Sequence, residues 1–241
     1  MVLQVENLTK TYKNGRGAED ISFDLSQGEV LGLLGPNGSG KTTTMKVIAG
    51  LSYPTSGLSR VCGFDSSKNH EHAAQSTGCL IEAPALYEHM TAYQNMKLAA
   101  RYYDTVDDDR IMDVLRLVEM DKYAKEKVGM FSLGMRQRIG LALAMLSEPK
   151  LLILDEPANG LDIEGMVYVR KVVVEAAEKG AAVLISSHLA NEIQQCATKA
   201  AIMYGGKLLC VEKMDVILAG FPSLEDFFLA QVSKMKEGVA A

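Results

Sequence analysis

Apolar and polar positions alternate along the first 25 residues of the chain. The apolar members are Val2, Val5 and Leu8 in one run and Ile21, Phe23 and Leu25 in a second. Such alternation is typical of strands that bury one face. The turn-forming pair Asn14-Gly15 separates the two runs, and Gln27-Gly28 follows the second. The pattern predicts a small region of antiparallel strands joined by turns.

Unbroken apolar runs follow, and such runs are typical of strands that are buried on both faces in a parallel sheet. They lie at 30–34, 151–154 and 182–186. Apolar positions at helical spacing run from Thr42 to Ala49 and from Asp162 to Lys179, and a glycine ends each segment. Two further runs, 200–204 and 207–211, flank a Gly-Gly pair and predict a hairpin.

Residues from about 86 to 147 have a different character, because they are predicted to be helical with few strand candidates. Thr91 and Gln94 have the spacing of a capping box, and aspartates at 107–109 place negative charge at the start of a second helix. Ser223 begins a last amphipathic helix. We therefore predict an α/β fold with an N-terminal antiparallel β region, a parallel-sheet core and an inserted α-helical subdomain. The expected division is one domain over 1–220 and a C-terminal helix and tail over 221–241.

Composition narrows the class of protein. The 241 residues are 48% hydrophobic and carry a net charge of −5, as expected for a folded domain with no need of a disulfide or metal. An acidic chain without basic runs is not expected to bind nucleic acid backbones. No apolar run reaches the roughly 18 residues of a membrane span, so any membrane role would need a partner that supplies one. The four cysteines form no Cys-x-x-Cys pair, which indicates reduced core thiols in a cytosolic chain.

Residues 35–42 match the pattern G-x-x-x-x-G-K-[ST] between a predicted strand and a predicted helix. Glycines let backbone amides converge on phosphate oxygens, and a helix N-terminus adds positive potential. Lys41 would reach the β and γ phosphates, and Thr42 would ligate Mg²⁺. A flexible glycine turn is the alternative interpretation. The predicted nucleotide-binding residues of this segment are Gly35, Pro36, Asn37, Gly38, Ser39, Gly40, Lys41, Thr42 and Thr43.

A second apolar strand delivers two carboxylates, Asp155 and Glu156, at its C-terminal end, where α/β folds place their sites. Adjacent residues of an extended chain point to opposite sides, so the two carboxylates can have separate roles. Asp155 would hold the metal, and Glu156 would act as the general base that polarises the attacking water. A helix-capping or surface pair is the alternative interpretation.

Further motifs occur with these two in one order along the chain. They are Phe131-Ser132-Leu133-Gly134-Met135-Arg136-Gln137-Arg138 before the carboxylate strand, and Asn159-Gly160-Leu161-Asp162 and Ser186-Ser187-His188 after it. In order and spacing the set resembles the ATP-binding cassette (ABC) ATPases, from about residue 3 to residue 211. The resemblance implies ATP and Mg²⁺ as cofactors and ATP hydrolysis as the activity.

The resemblance also implies roles for single residues. Tyr12 occupies the position where the family stacks an aromatic ring on adenine, although a half-buried strand tyrosine is the alternative. Ser132 and Gly134 belong to the signature motif that faces the γ-phosphate bound by the other subunit, and Ser132 is also a plausible helix N-cap. His188 corresponds to the family's catalytic histidine, and a structural role is the alternative interpretation. Asp162 lies in the loop that communicates between subunits, and it also has the position of an N-cap.

Two departures from the family pattern are present. The signature, usually Leu-Ser-Gly-Gly-Gln, has lost one glycine and the glutamine here, and Glu82 replaces the family's metal-binding glutamine. A carboxylate binds Mg²⁺ more strongly than an amide but donates no hydrogen bond. Both features are similar to the ABC ATPases of bacteriocin, lantibiotic and bacitracin self-protection exporters.

The expected function is therefore that of the ATP-hydrolysing subunit of a membrane exporter of antimicrobial peptides or drugs. Expected partners are integral membrane permease subunits and a second ATPase copy or a paired ABC subunit, with the chain on the cytoplasmic face of the membrane and no nucleic acid bound. The alternative is a soluble ABC-type switch acting on ribosomes or DNA. Relatives of that kind usually carry a tandem cassette or a long coiled-coil insertion, and this sequence shows neither.

Overall fold

One mixed sheet runs through the computed structural model, which describes residues 1–239; residues 240 and 241 of the predicted tail lie outside the described residues. In the described chain its ten strands are β1 (Leu3–Thr11), β2 (Gly17–Leu25), β3 (Val30–Leu34), β4 (Ser56–Val61), β5 (Phe64–Asp65), β6 (Thr77–Leu80), β7 (Leu151–Asp155), β8 (Ala182–Ser187), β9 (Lys199–Tyr204) and β10 (Lys207–Lys213). Their order across the sheet is β5-β4-β1-β2-β10-β9-β3-β8-β7-β6.

The first half of the sheet is antiparallel. Strand β1 pairs with β2 in a register that sets Val5 opposite Phe23 and Leu8 opposite Ile21, so the apolar positions share one face. Strand β4 pairs with the other edge of β1. These contacts confirm the N-terminal antiparallel region that the alternating pattern predicts.

The second half of the sheet is the parallel core, in which β9, β3, β8, β7 and β6 are neighbours. Every residue of β3, β7 and β8 is buried, as expected for unbroken apolar runs in a parallel sheet. Strand β10 folds back on β9 as the predicted hairpin. It joins the two halves through a parallel bridge between Lys207 and Glu19.

The helices cover both faces of this sheet. They are α1 (Lys41–Ile48), α2 (His70–Gln75), α3 (Ala92–Ala100), α4 (Asp108–Leu117), α5 (Leu133–Met145), α6 (Ile163–Glu178), α7 (Ala190–Gln194), α8 (Met214–Gly220) and α9 (Leu224–Val239), with 3₁₀ turns at Asp121–Tyr123 and Val128–Met130. Thr91 and Gln94 form the capping box of α3, and Asp107 caps α4 by accepting a hydrogen bond from the Arg110 amide. The inserted helical subdomain therefore begins at the caps that the sequence predicts.

Strand β7 lies between two hydrophobic cores. Leu152 and Leu154 pack into the core shared with the helical subdomain and α6. Leu151 and Ile153 pack into the opposite core, which α1 and the antiparallel strands complete. All four side chains are fully buried, and burying one such side chain stabilises the fold by about 1.5–3 kcal/mol. The strand that carries the two predicted site carboxylates is therefore held from both sides.

The cysteines differ from their prediction at one position. Cys62, Cys196 and Cys210 are half-buried free thiols, but the Cys79 side chain is exposed. Strand β6 is the last of the sheet, and the face that carries Thr77 and Cys79 is not buried, whereas Leu80 on its other face is. The expectation of a core thiol is therefore wrong for Cys79.

No individual helix of the described residues is long and apolar enough to cross a membrane. Helices α8 and α9 meet the length and hydropathy criteria only when taken together, and the chain bends by 82° between them.

Candidate functional site

The glycine-rich segment lies between the end of β3 and the start of α1. Gly38 and Gly40 adopt φ angles of 82° and 99°, in the left-handed region that glycine enters without a steric penalty. The loop folds around the side chain of Lys41, which is buried. Its Nζ donates hydrogen bonds to the carbonyl oxygens of Gly35 at 2.7 Å and Pro36 at 3.3 Å.

This loop has the chemistry of an anion site. The Ser39 hydroxyl oxygen is buried and has no hydrogen-bond partner among the described residues. A buried unpaired hydroxyl is costly, and a phosphate oxygen would accept a hydrogen bond from it. A buried ammonium, an unpartnered hydroxyl and the N-terminus of α1 together fit the phosphates of a nucleotide.

A cavity of about 250 Å³ opens beside the loop. Residues of three segments line it: Tyr12, Asn14, Arg16 and Gly17; Asn37, Gly38, Ser39, Gly40, Lys41, Thr42 and Thr43; and Glu156. Tyr12 lies one residue beyond the end of β1, outside the strand, and it is 39% exposed. The ammonium of Lys10 lies 5.3 Å from the centre of the Tyr12 ring. The structure thus places the predicted adenine-stacking residue beside the predicted phosphate loop.

The two predicted metal ligands Thr42 and Asp155 meet at the carboxyl end of β7. Thr42 Oγ1 donates a hydrogen bond to Asp155 Oδ2 at 2.7 Å, and the Asp155 side chain is buried. A hydroxyl and a carboxylate are the hard oxygen donors that Mg²⁺ prefers, and Mg²⁺ takes its remaining ligands from phosphate and water in such sites. The donor set therefore fits Mg²⁺.

Glu156 has the contacts expected of a positioned base. Its Oε2 lies 2.9 Å from His188 Nδ1, and its Oε1 lies 3.3 Å from Lys41 Nζ. Its backbone φ is 45°, a left-handed value that is uncommon for a residue with a side chain. Strained backbone of this kind is concentrated at functional sites.

Ser186 completes this network, and sequence reasoning assigned it no role. Its hydroxyl donates a hydrogen bond to Asp155 Oδ1 at 2.6 Å and accepts one from the Glu156 amide at 2.9 Å. It lies in β8, next to β7, directly opposite Asp155 in the parallel register. The Ser186-Ser187-His188 motif was a signal for this position, but only His188 was assigned.

Gln137 is a second residue without an assigned role. Its buried amide nitrogen donates a hydrogen bond to the carbonyl oxygen of Pro157 at 3.2 Å. Helix α5, which begins at the signature motif, is therefore joined to the residue that follows Glu156.

The signature residues Ser132 and Gly134 lie apart from the phosphate loop. With Leu161 and Asp162 they line a separate cavity of about 810 Å³ between the helical subdomain and α6. Ser132 caps α5 by accepting a hydrogen bond from the Met135 amide at 3.3 Å, and Asp162 caps α6 through the Gly165 amide at 2.8 Å. The predicted nucleotide-binding residues thus form two groups on one chain.

Glu82 is the predicted metal ligand whose carboxylate contacts a lysine in the structure. Its side chain is 65% exposed, and Oε1 lies 2.7 Å from Nζ of Lys46 in α1. Among the described residues Lys46 is its hydrogen-bond partner.

Comparison with known proteins decides the family. A family model described as "ABC transporter" matches residues 18–159, more than half of the chain. The chain belongs to the ABC transporter family.

Curated relatives of this ABC protein are similar along most of its length. The bacitracin transport ATP-binding protein BcrA of Bacillus licheniformis is 38% identical over 86% of this chain and 68% of its own length. The lantibiotic transport ATP-binding protein SrtF of Streptococcus pyogenes is 35% identical over 96% of this chain and 97% of its own.

Solved structures agree with this assignment. An ATP binding subunit of an ABC transporter has a TM-score of 0.87 and 28% identity, and covers 96% of this chain and 100% of that chain. A dimeric ATP-binding cassette bound to ADP and Pi has a TM-score of 0.79, covering 88% of this chain and 98% of that chain; at 23% identity it supports the fold alone.

These similarities confirm the predicted fold class and the predicted activity. The ABC protein has the P-loop ABC-ATPase fold, binds ATP and is an ATP hydrolase that powers a transporter. The relatives reported above are transport proteins, and nothing in them favours the ribosome or DNA alternative. The domain boundaries and the roles of the individual site residues remain predictions.

Proposed function

We propose that this chain hydrolyses Mg²⁺-bound ATP to drive a membrane exporter of antimicrobial peptides. The observation that carries the proposal is the convergence of two contacts beside one cavity: Lys41, Thr42 and Glu156 line it, Lys41 pairs with Glu156, and Thr42 donates a hydrogen bond to Asp155. The names of the bacitracin and lantibiotic relatives support the class of substrate. Glu82 and the altered signature support the same subgroup.

Binding of ATP would use residues already close together. Tyr12 would stack on adenine, because stacking requires no base-specific hydrogen bond. The amides of residues 37–43 would hold the phosphates, and the Ser39 hydroxyl would gain the acceptor it lacks. Lys41 would exchange the Gly35 and Pro36 carbonyls for β and γ phosphate oxygens, which are stronger partners because they are charged.

Thr42 and Asp155 would hold Mg²⁺. Mg²⁺ held by these two side chains would supply positive charge that offsets the negative charge developing on the phosphate oxygens. Ser186 would fix the orientation of the Asp155 carboxylate through Oδ1, leaving Oδ2 directed at Thr42 and the metal.

Glu156 would act as the general base. Its carboxylate would accept a proton from water while the water oxygen bonds to the γ-phosphorus and the bond to ADP breaks. His188, 2.9 Å from Glu156 Oε2, would hold that carboxylate in position. Lys41, 3.3 Å from Oε1, would be drawn towards the phosphates.

The separation of the signature residues from the phosphate loop favours a shared site. Ser132 caps the N-terminus of α5, where free amides and the helix dipole attract an anion. Two subunits would pair so that α5 of each meets the γ-phosphate held by the other. The second subunit would be a copy of this chain or a paired ABC subunit, and both would lie on the cytoplasmic face against membrane-spanning permease subunits.

Two measurements test this function. Affinity purification of the tagged chain from native membranes should recover an integral membrane protein with several spans, whereas recovery of ribosomes or DNA would support the alternative function.

Glu156→Gln should bind ATP normally and lower ATP turnover by about 10²–10⁴-fold, the contribution of a general base. Glu164→Gln, a first-turn residue of α6, is the matched control. Unchanged turnover in Glu156→Gln would remove Glu156 as the base.

A further inference from the structure

An ion pair connects the helix after the phosphate loop to the loop after β6. Lys46 Nζ and Glu82 Oε1 are 2.7 Å apart, although the two residues are 36 positions apart in sequence. The Lys46 side chain is 30% exposed. The family's glutamine at position 82 would leave Lys46 without an anionic partner there, so the pair belongs to the carboxylate variant that this chain carries.

Lys46 lies close to the predicted magnesium ligands. It follows Thr42 by four residues in α1, so the two side chains lie on the same face one turn apart. A fixed positive charge thus stands next to the position where the divalent cation is expected.

The backbone of Glu82 also indicates a specific arrangement. Its φ is 61°, a left-handed value that costs free energy for any residue with a side chain. Such a conformation persists when surrounding contacts hold it. The contact with Lys46 is the one that the structure provides to the Glu82 carboxylate.

We propose that Lys46 competes with the divalent cation for the Glu82 carboxylate. The inference rests on the proposed function in taking Thr42 and Asp155 as magnesium ligands. The Glu82 carboxylate contacts Lys46, which lies one helical turn from Thr42. The Lys46 ammonium and a metal held by Thr42 would therefore attract the same carboxylate, and each would weaken its attraction to the other. Lys46 therefore sets how tightly Glu82 can bind the metal.

The loop that carries Glu82 is connected to the helical subdomain, so the partner that Glu82 binds can affect the position of that subdomain. The loop that starts at Glu82 is tied to α3 by Asn95, whose side chain exchanges hydrogen bonds with the backbone of Tyr87 at 2.8 and 3.2 Å. Glu88 of the same loop forms an ion pair with Arg136 of α5 at 2.6 Å. A movement of Glu82 would therefore pull on two helices of the subdomain.

The test measures metal binding without turnover. The dissociation constant of Mn²⁺ is measured by electron paramagnetic resonance with the full chain and a saturating non-hydrolysable ATP analogue. Lys46→Met should tighten Mn²⁺ binding about two- to fivefold, the range expected for a partly exposed ion pair. Lys171→Met removes an exposed ion pair with Glu175 on α6 and should leave Mn²⁺ binding unchanged.

Lys46→Met is also made in a Glu82→Gln background. The comparison separates the effect of the Lys46–Glu82 ion pair on Mn²⁺ binding from the effect of the lysine charge alone. Removing any positive charge near a metal tightens its binding, and that part of the effect persists when position 82 is neutral. A smaller effect of Lys46→Met in Glu82→Gln than in the wild type supports the competition. An equal effect in both backgrounds, or no effect in the wild type, would overturn it.

Binding of the analogue is measured separately in EDTA, without metal. Together with the Mn²⁺ titration, it distinguishes failure of the proposed function from failure of the inference. A wild-type chain that binds neither the analogue nor Mn²⁺ would contradict the proposed function and the inference together. A chain that binds both, with Mn²⁺ affinity unaltered in Lys46→Met, would overturn the inference alone. Urea unfolding of each variant confirms that the folded state is retained.

Discussion

Replacing Ser186 with alanine tests whether the hydroxyl in β8 holds the two site carboxylates in place. The side chain is 0% exposed, so water cannot replace the lost contacts. The variant removes the hydrogen bond to Asp155 Oδ1 and leaves the Glu156 amide without its acceptor. Both changes act on residues that the proposed mechanism requires, and both act on folding.

The size of the effect follows from these two contacts. A hydrogen bond to a charged group contributes about 1.5–3 kcal/mol, and a buried amide left unpaired costs about 1–3 kcal/mol. Since the two losses share one atom and are not independent, we expect a decrease of about 3 kcal/mol in the free energy of unfolding. For a chain of this length that corresponds to a fall in Tm of about 6–12 °C. ATP turnover should fall as well, because Asp155 loses its fixed orientation.

Urea unfolding followed by circular dichroism measures the stability change, with Ser59→Ala as the matched control. Ser59 is a buried strand serine whose hydroxyl donates a neutral hydrogen bond to Ser66 at 3.1 Å, so its loss should cost about 1 kcal/mol. Equal destabilisation by the two variants, together with equal turnover, would refute the bridging role of Ser186.

Three further predictions concern other contacts. Lys41→Ala should weaken binding of a fluorescent ATP analogue about tenfold or more, and normal affinity would contradict the phosphate-loop assignment. Gln137→Met removes the donor to Pro157 at similar side-chain size, so kcat should fall while ATP affinity is kept; a change in affinity alone would count against a positioning role. Burial raises the pKa of the Cys196 thiol from 9.0 to about 11. Because the unfolded chain releases this proton first, the free energy of unfolding should fall as the pH rises from about 9 to 11, and Cys196→Ala, measured by urea unfolding at each pH, should show a smaller fall.

Local sequence patterns are sufficient to predict many of the strands and helices. An unbroken apolar run such as 151–154 leaves no polar face to expose, so a strand buried on both sides is its stable arrangement. Thr91 and Gln94 satisfy each other's amides within four residues, so the start of α3 needs no tertiary contact. The short helices α2, α7 and α8 were not anticipated, because they contain too few residues for a periodic pattern.

The residues alone indicate the site where they form continuous motifs, and the family resemblance adds single residues such as Tyr12 and His188. The phosphate loop and the Asp155-Glu156 pair each form a continuous motif. Ser186 reaches Asp155 through the pairing of β7 with β8, which closes a separation of 31 residues and depends on strand order. The contact between Glu82 and Lys46 is not predictable for the same reason, because the two residues are 36 positions apart; the metal-binding role of Glu82 is implied by the family resemblance.

The two hydrophobic cores on either side of β7 restrict movement of the strand that carries Asp155. Leu152 and Leu154 cannot shift towards the helical subdomain without opening space beside Leu151 and Ile153 on the other face. Close-packed interiors resist such displacement. Residues at the tip of the strand therefore stay anchored while surrounding loops adjust. The helical subdomain packs against the first core alone, so it can shift with less repacking than the strand that carries the two carboxylates.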